Sequence, residues 1–109
     1  RDIAVRYSKG IANTKIIAQK IHGKEYVSHL YVIRTTGRNR LRPHLAAVGI
    51  PSDVHYPVPD YAQAAYRHLF AGKRLIVTER MCAEVLSLPC FPELTDEEID
   101  SIIERINSW

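Results

Sequence analysis

Cysteine is scarce in this sequence, since its 109 residues include only Cys82 and Cys90. Their spacing fits neither a CxxC motif nor the cysteine framework of small secreted domains. Apolar neighbours predict that both are small buried hydrophobic residues, and we expect a reducing, cytoplasmic setting. Long apolar runs are also missing. Runs such as Leu45–Val48 are too short for a transmembrane helix, and the first residues contain no apolar signal segment.

The common nucleophile, phosphate and metal motifs are absent as well. The sequence contains no GxSxG elbow, no Walker loop and no GxGxxG segment. No two of its histidines stand at i, i+4 around a carboxylate, so the zinc hydrolase motif is excluded and we expect no metal site. The five histidines are His22, His29, His44, His55 and His68.

Length and composition predict one compact domain over residues 1–109. Hydrophobic residues make up 46% of the sequence and charged residues 25%, which is typical of globular proteins. The sequence opens on Arg1, inside a predicted helix, and has no methionine there. We therefore expect a fragment or a processed form of a longer protein.

The net charge of +3 comes mostly from four arginines around one predicted turn, namely Arg34, Arg38, Arg40 and Arg42. This cluster fits a solvated surface patch. It also fits contact with phosphate groups, either of nucleic acid or of a phosphorylated small molecule. No run of basic residues is interleaved with aromatic residues as single-strand binders require, so nucleic acid is the weaker alternative.

Hydrophobic periodicity predicts alternating helices and strands. Helices are expected at 1–7, at 40–48 with Pro43 in the first turn and Gly49 as cap, at Tyr61–Phe70, and from Thr78 to about Leu86 with Met81, Cys82 and Val85 inward. Runs 15–21 and 26–35 predict a hairpin whose second strand is central, and 51–56 predicts a short strand. The expected class is α/β (α+β), with a small, mostly antiparallel sheet and flanking helices.

The C-terminal helix has the strongest local signals. Thr95 and Glu98 have the spacing of a capping box, and acidic residues follow Thr95 in the first turn. Ile99, Ile102, Ile103 and Ile106 then recur at i, i+3, i+4 and i+7, which predicts a face that packs into the core.

One histidine stands in a position that suits ligand contact. His55 lies at the end of the predicted strand 51–56, beside Tyr56 and before a proline-stiffened loop. Loops held by rigid elements often present ligand-binding side chains, although a structural hydrogen bond remains the alternative. Ser87 is expected to form local hydrogen bonds, and Glu79 to compensate a helix dipole.

Three segments together resemble a known enzyme family. They are YVIRTTGRNRL at 31–41, GIPSDVHYPVP at 49–59 and AEVLSLPCFPELTDEEI at 83–99, with QAAY and VTE between the last two. Their order and spacing are similar to the C-terminal domain of the DegT/DnrJ/EryC1/StrS family of pyridoxal-phosphate-dependent nucleotide-sugar aminotransferases. The resemblance implies the small C-terminal domain of fold-type I transferases, and it implies that His55 and Tyr56 contact the nucleotide-sugar substrate.

The resemblance also implies what these residues do not supply. The family's catalytic lysine belongs to a large N-terminal domain, and none of the five lysines of this chain lies in a matching motif. We therefore expect no cofactor bound to these 109 residues alone and no activity from them. The full-length enzyme would bind pyridoxal phosphate, form a homodimer and transfer an amino group from an amino acid, with glutamate as the expected donor, to a keto-sugar nucleotide. Polysaccharide or antibiotic-sugar synthesis is the pathway the family suggests.

Three positions depart from the family pattern, and two alternative functions remain. The family often has histidine where Tyr61 stands and proline at Ala64 and Ile76. Because of these departures, the resemblance does not predict which sugar the enzyme uses. The first alternative is a sugar dehydratase, because some family members replace the catalytic lysine and catalyse dehydration. That lysine lies outside this chain, so these residues do not distinguish the two activities. The second alternative is a free-standing basic module that binds nucleic acid through the arginine cluster.

Overall fold

The computed structural model describes residues 1–109. Four α-helices and two β-strands occur in the order α1 Asp2–Gly10, β1 Tyr31–Arg34, α2 Arg38–Ala46, α3 Ile76–Glu84, β2 Val85–Leu88 and α4 Asp96–Asn107, with a short 3₁₀ helix at Asp60–Ala62. The predicted class, a small antiparallel sheet with flanking helices, is confirmed. None of the helices has the length and apolar character needed to cross a lipid bilayer.

The sheet is built from strands that are distant in sequence. β1 pairs antiparallel with β2, with Tyr31 opposite Leu88 and Arg34 opposite Val85. The predicted hairpin is wrong, because residues 15–21 contribute only one bridge, between Ile17 and Arg34. Beyond that bridge the side-chain Oε1 of Gln19, and not a backbone carbonyl, accepts from the Val32 N–H at 3.1 Å. β1 therefore has β2 along one edge and a single bridge along the other, in a sheet of two strands, and it covers only residues 31–34 of the predicted strand 26–35.

The chain changes directly from helix α3 to strand β2. The expected continuation of the helix to Leu86 is wrong, because Val85 already has an extended backbone. The inward residue of α3 is Glu84, whereas Met81 and Cys82 are only partly buried. Arg34 and Arg80 donate to the Glu84 carboxylate at 2.8 and 2.9 Å, and these hydrogen bonds lower its pKa. A charged residue can therefore occupy the buried end of the helix.

The core lies between the sheet and helices α1, α2 and α4. The capping box of α4 is present, with Thr95 Oγ1 accepting from Glu98 N at 3.2 Å and Glu98 Oε2 accepting from Thr95 N at 2.8 Å. Ile99, Ile102 and Ile106 are buried as predicted, and Ile103 is partly buried. The remaining core members are Ala4, Tyr7, Ile16, Tyr31, Ile33, Leu41, Leu45, Ile50, Leu86 and Leu88.

Helix α2 begins earlier than the sequence predicts. Pro43 lies inside the helix and not in its first turn, because the Gly37 carbonyl already accepts from Arg40 N and Leu41 N. Proline cannot donate to the preceding turn, but its own carbonyl accepts from Ala47 N at 3.0 Å, so the helix continues. Leu41 and Leu45 still face the core as their spacing predicts, whereas Val48 is exposed.

Residues 60–75, which we call the 60–75 loop, do not form the predicted helix Tyr61–Phe70. Regular helical structure ends after the 3₁₀ turn, since Gln63 has an extended backbone with ψ 151°. Most backbone hydrogen bonds that follow connect residues three apart, as in Tyr66 N to Gln63 O and Leu69 N to Tyr66 O. The loop is instead fixed by side-chain contacts between its two ends.

We call these contacts the Tyr61 clamp, formed by Tyr61, Arg74, Leu75 and Glu79. The Tyr61 hydroxyl donates to Glu79 Oε1 at 2.7 Å and accepts from Leu75 N at 3.3 Å. Arg74 Nε and Nη2 donate to the same carboxylate at 2.7–2.9 Å and 2.5 Å, a bidentate pairing. Hydrogen bonds from Arg74 and then from Tyr61 lower the pKa of Glu79 to about 2. Glu79 therefore joins the loop to the start of α3.

Thr95→Ala should lower the free energy of unfolding by about 1 kcal/mol, because α4 loses its side-chain N-cap. Chemical denaturation of the chain measures this change. Thr36→Ala is the matched control, since Thr36 is exposed and forms no side-chain hydrogen bond. Equal stability losses in the two variants would contradict the capping role.

Tyr61→Phe should lower the thermal unfolding midpoint, because Glu79 loses a donor and Leu75 N loses an acceptor. Tyr66→Phe is the control. Its ring is half exposed, and its hydroxyl has no hydrogen-bond partner, so the midpoint should stay unchanged. A midpoint for Tyr61→Phe equal to that of wild type would show that the clamp does not stabilise the loop.

The Glu79 carboxylate should make stability depend on pH in a defined acidic window. Its pKa in the folded chain is about 2, below its ordinary value of 4.5, so its contribution is complete above pH 4.5 and is lost as pH falls toward 2. The stability difference between wild type and Glu79→Gln should therefore shrink across that range in pH-dependent unfolding measurements. Glu93→Gln, which changes an exposed carboxylate without a partner, should show no such trend.

Candidate functional site

The segment before His55 is attached to strand β2. Asp53 N donates to Ser87 O at 3.1 Å and Ser87 N donates to Asp53 O at 2.7 Å, which forms a single antiparallel bridge. The strand predicted at 51–56 is thus reduced to one bridged residue. This bridge is sufficient to bring His55 next to the side chain of Ser87, although the two are 32 residues apart in sequence.

One ring nitrogen of His55 forms a hydrogen bond within the chain, and the other forms none. Nδ1 lies 2.9 Å from Ser87 Oγ, and Ser87 is only 5% exposed. Nε2 faces Asp53 Oδ2 at 3.7 Å. Because a carboxylate stabilises a proton on the nitrogen that faces it, we assign the proton to Nε2 and hydrogen-bond donation to Ser87. The His55 side chain is 27% exposed and lines a cleft in the surface.

Tyr56 presents its ring to solvent. It is 70% exposed, and its hydroxyl has no hydrogen-bond partner within the chain. Its ring meets that of His55 edge to face, with centroids 5.4 Å apart and planes at 90°. The peptide bond between the two residues is cis. The rings of the two predicted site residues are thus in contact, as their edge-to-face geometry shows.

His55 lies in an open cleft of about 380 Å³. The cleft is lined by Leu30, Arg42, Pro51, Ser52, Asp53, His55, Ser87, Leu88, Pro89 and Phe91. Its charged groups are Arg42 and Asp53, with Arg42 Nη2 at 3.7 Å from Asp53 Oδ1. A second contact to Oδ1 comes from Val54 N, which donates at 2.8 Å.

The order Ser87–His55–Asp53 resembles a hydrolase triad, but its geometry suits binding. The Ser87 hydroxyl bonds to Nδ1 and the residue is only 5% exposed, whereas an attacking nucleophile must be open to the substrate. The distance from Asp53 to Nε2 also exceeds a hydrogen bond. The cleft therefore offers exposed donors and acceptors rather than an activated nucleophile. No group of three or more metal-ligating side chains occurs in the chain.

The four arginines do not form one uniform basic surface. Arg34 pairs with Glu84, and Arg38 Nη1 donates to Cys82 O at 2.5 Å. Arg42 faces Asp53, whereas Arg40 is exposed and contacts no acceptor within the chain. Three of the four guanidinium groups thus lie against acceptors of the chain itself, which favours a structural role for most of the cluster.

The sequence predicts His55 and Tyr56 as site residues, and the structure places three further residues near His55 that were not predicted there. Ser87 was expected to bond locally, yet its partner is His55, and neither Asp53 nor Arg42 was assigned to the site. The only usable signal was that Asp53 is two residues before His55 and shares its side of an extended segment. The contacts of Ser87 and Arg42 depend on tertiary structure.

The pyridoxal phosphate that the resemblance implies does not fit the cleft on its own. Such a cofactor needs a lysine for its aldehyde, and none of the five lysines lines the cleft. Lys15 Nζ instead donates to Trp109 O at 2.9 Å, and Lys73 lies over the Phe70 ring. Any lysine that binds the cofactor would come from outside these 109 residues.

Comparison with known proteins gives the cleft a family context. The chain is 32% identical over 110 residues to a dTDP-3-amino-3,6-dideoxy-alpha-D-galactopyranose transaminase of Aneurinibacillus thermoaerophilus, covering 100% of this chain and 30% of that protein. The fold of this chain matches the crystal structure of DesV of S. venezuelae in complex with a ketimine intermediate, with a TM-score of 0.90. The identity is 32%, over 99% of this chain and 30% of DesV.

A further solved structure is that of NtdA from Bacillus subtilis with bound cofactor PMP. The TM-score is 0.86 and the identity 28%, over 96% of this chain and 26% of NtdA. The chain thus spans less than a third of the length of these relatives. The sequence profile of one family matches residues 1–107, nearly the whole chain. The chain belongs to the DegT/DnrJ/EryC1/StrS aminotransferase family.

Proposed function

We propose that residues 1–109 are the C-terminal small domain of a pyridoxal-phosphate-dependent sugar aminotransferase. The full-length enzyme transfers an amino group from an amino acid, with glutamate as the expected donor, to a keto-sugar nucleotide. The observation that carries the proposal is the family match over residues 1–107. It is supported by the relative from A. thermoaerophilus, whose name describes a dTDP-sugar transaminase.

Within that enzyme, His55 and Tyr56 contact the substrate. Nε2 of His55 donates a hydrogen bond, and the free hydroxyl of Tyr56 can donate or accept one. The high exposure of Tyr56 supports this role, because its hydroxyl has no hydrogen-bond partner inside the domain and its ring contacts only that of His55. Ser87 fixes the imidazole from the buried side, so His55 binds and orients the substrate and does not carry protons between reactants.

Pyridoxal phosphate, when bound in the full-length enzyme, supplies the electron-sink chemistry of amino transfer. The family and the PMP-bound NtdA structure support its presence there. The cleft of this chain contains no lysine, so the residues that hold the cofactor lie in the remainder of the enzyme. The 109 residues alone therefore contribute recognition of the substrate, and we expect neither cofactor binding nor amino transfer from them in isolation.

The surface formed by the 60–75 loop and the first residues of α3 suits contact with the rest of a homodimeric enzyme. Half of the large exposed hydrophobic residues of the chain fall in the 12 positions from 66 to 77, namely Tyr66, Leu69, Phe70, Leu75, Ile76 and Val77. Such a concentration on one segment is typical of an interface.

The enzyme is proposed to work in the cytoplasm, where nucleotide sugars are its substrates.

His55→Ala in the full-length enzyme should lower kcat/KM for the sugar nucleotide by about tenfold or more, because one hydrogen bond to the substrate is lost. The cofactor's absorbance spectrum should be unchanged. Steady-state kinetics with glutamate and a panel of dTDP-linked and UDP-linked keto sugars, with product analysis by mass spectrometry, measures the effect.

His22→Ala is the matched control, since His22 is exposed and forms no hydrogen bond. It should retain wild-type kinetics. Unchanged kinetics in His55→Ala would refute the assignment of the site. A wild-type enzyme that eliminates water from the sugar without amination would refute the aminotransferase itself and favour the dehydratase alternative.

A further inference from the structure

The Asp53 carboxylate has acceptor capacity that the fold does not use. Oδ1 accepts from Val54 N at 2.8 Å, whereas Oδ2 accepts no hydrogen bond. The nearest side-chain donors, Arg42 Nη2 and His55 Nε2, are each 3.7 Å away, beyond the roughly 2.7–3.2 Å of an N–H···O bond. The side chain is 69% exposed and lines the cleft. An incoming donor can therefore reach Oδ2.

Oδ2 and His55 Nε2 form an acceptor and a donor side by side. In the tautomer assigned above, Ser87 donates to Nδ1 and the imidazole proton is on Nε2, the nitrogen that faces Asp53 Oδ2. A hydroxyl group both donates and accepts one hydrogen bond. Since the two atoms are 3.7 Å apart, one hydroxyl oxygen at about 2.8 Å from each can bond to both at once. The pair is thus complementary to an alcohol.

The same pair is poorly suited to phosphate. A phosphate oxygen only accepts hydrogen bonds, so it would meet the Asp53 carboxylate without a shared proton and with charge repulsion. Arg42 would attract a phosphate, but its guanidinium already faces Asp53. The charges of Arg42 and Asp53 offset each other within the cleft, which favours a neutral, hydroxyl-bearing group over an anion.

We propose that Asp53 is a substrate-binding, specificity-determining residue that accepts a hydrogen bond from one hydroxyl of the sugar while His55 Nε2 donates to the same hydroxyl. The cleft then binds the sugar portion of the substrate and not its diphosphate. This inference rests on the proposed function, because it takes the ligand to be a nucleotide sugar.

The test compares two ligands in the full-length enzyme by isothermal titration calorimetry. One is the dTDP-linked or UDP-linked sugar that the wild type binds, and the other is the corresponding nucleoside diphosphate. Asp53→Asn should weaken binding of the nucleotide sugar by about tenfold, as expected when a charged acceptor is replaced by a neutral one, and should leave binding of the diphosphate unchanged. Asp53→Ser, which is smaller, should show the same pattern.

A set of deoxy-sugar analogues identifies the hydroxyl. The analogue that lacks the contacted hydroxyl should bind wild type about tenfold more weakly and should bind wild type and Asp53→Asn equally. Glu104→Gln is the control, because it removes an exposed carboxylate that does not line the cleft. This control substitution should not change the affinity for any of the ligands. Thermal unfolding confirms that each variant is folded.

The outcomes separate the two proposals. Equal weakening of the nucleotide sugar and the diphosphate, or tighter diphosphate binding in Asp53→Asn, would overturn the hydroxyl assignment alone. If Asp53→Asn weakened the binding of every deoxy analogue, the hydroxyl assignment would also be overturned. A wild-type enzyme that binds none of the nucleotide sugars would overturn the proposed function, and the inference about Asp53 with it.

Discussion

The contact between Ser87 and residues 53–55 is the interaction on which the cleft depends. The backbone of Ser87 forms two hydrogen bonds with Asp53, and its hydroxyl bonds to the imidazole of His55. Strand β2 also pairs with β1 along its other edge, so Ser87 connects the segment to the core sheet. Because the hydroxyl is buried, removal of the imidazole would leave it without a hydrogen-bond partner. Removal of the hydroxyl would instead leave the imidazole unrestrained.

The segment that carries His55 and Tyr56 is held at both ends. Ser87 fixes its beginning, and the Tyr61 clamp fixes its end to the start of α3. Two prolines between these points, Pro57 and Pro59, limit the backbone further. Such restraint from rigid elements allows exposed side chains to keep a defined geometry, which a binding site requires. The hydroxyl of Tyr61 is engaged within the clamp.

Sequence signals that act within one helix were sufficient for prediction, whereas tertiary contacts were not. The capping box at Thr95 and the spacing of Leu41 and Leu45 depend on neighbours within one or two turns, so they could be read directly. The hairpin and the helix at Tyr61–Phe70 were wrong because the strand partner and the loop contacts come from residues distant in sequence. For the same reason His55 could be chosen by position, but its partner Ser87 could not.

On the proposed function, the charges of the cleft indicate how substrate recognition is divided in the full-length enzyme. One arginine and one aspartate face each other there, so the cleft provides almost no net charge for an anion. A nucleotide sugar carries a diphosphate, whose binding needs positive groups or backbone N–H donors. On the proposed function, those groups lie in the remainder of the enzyme together with the lysine that the cofactor needs. The small domain then distinguishes sugars by their hydroxyl groups, while the strong electrostatic attraction comes from elsewhere. Under this division, the substitutions that change sugar preference fall near Asp53 and leave the affinity for the nucleotide intact.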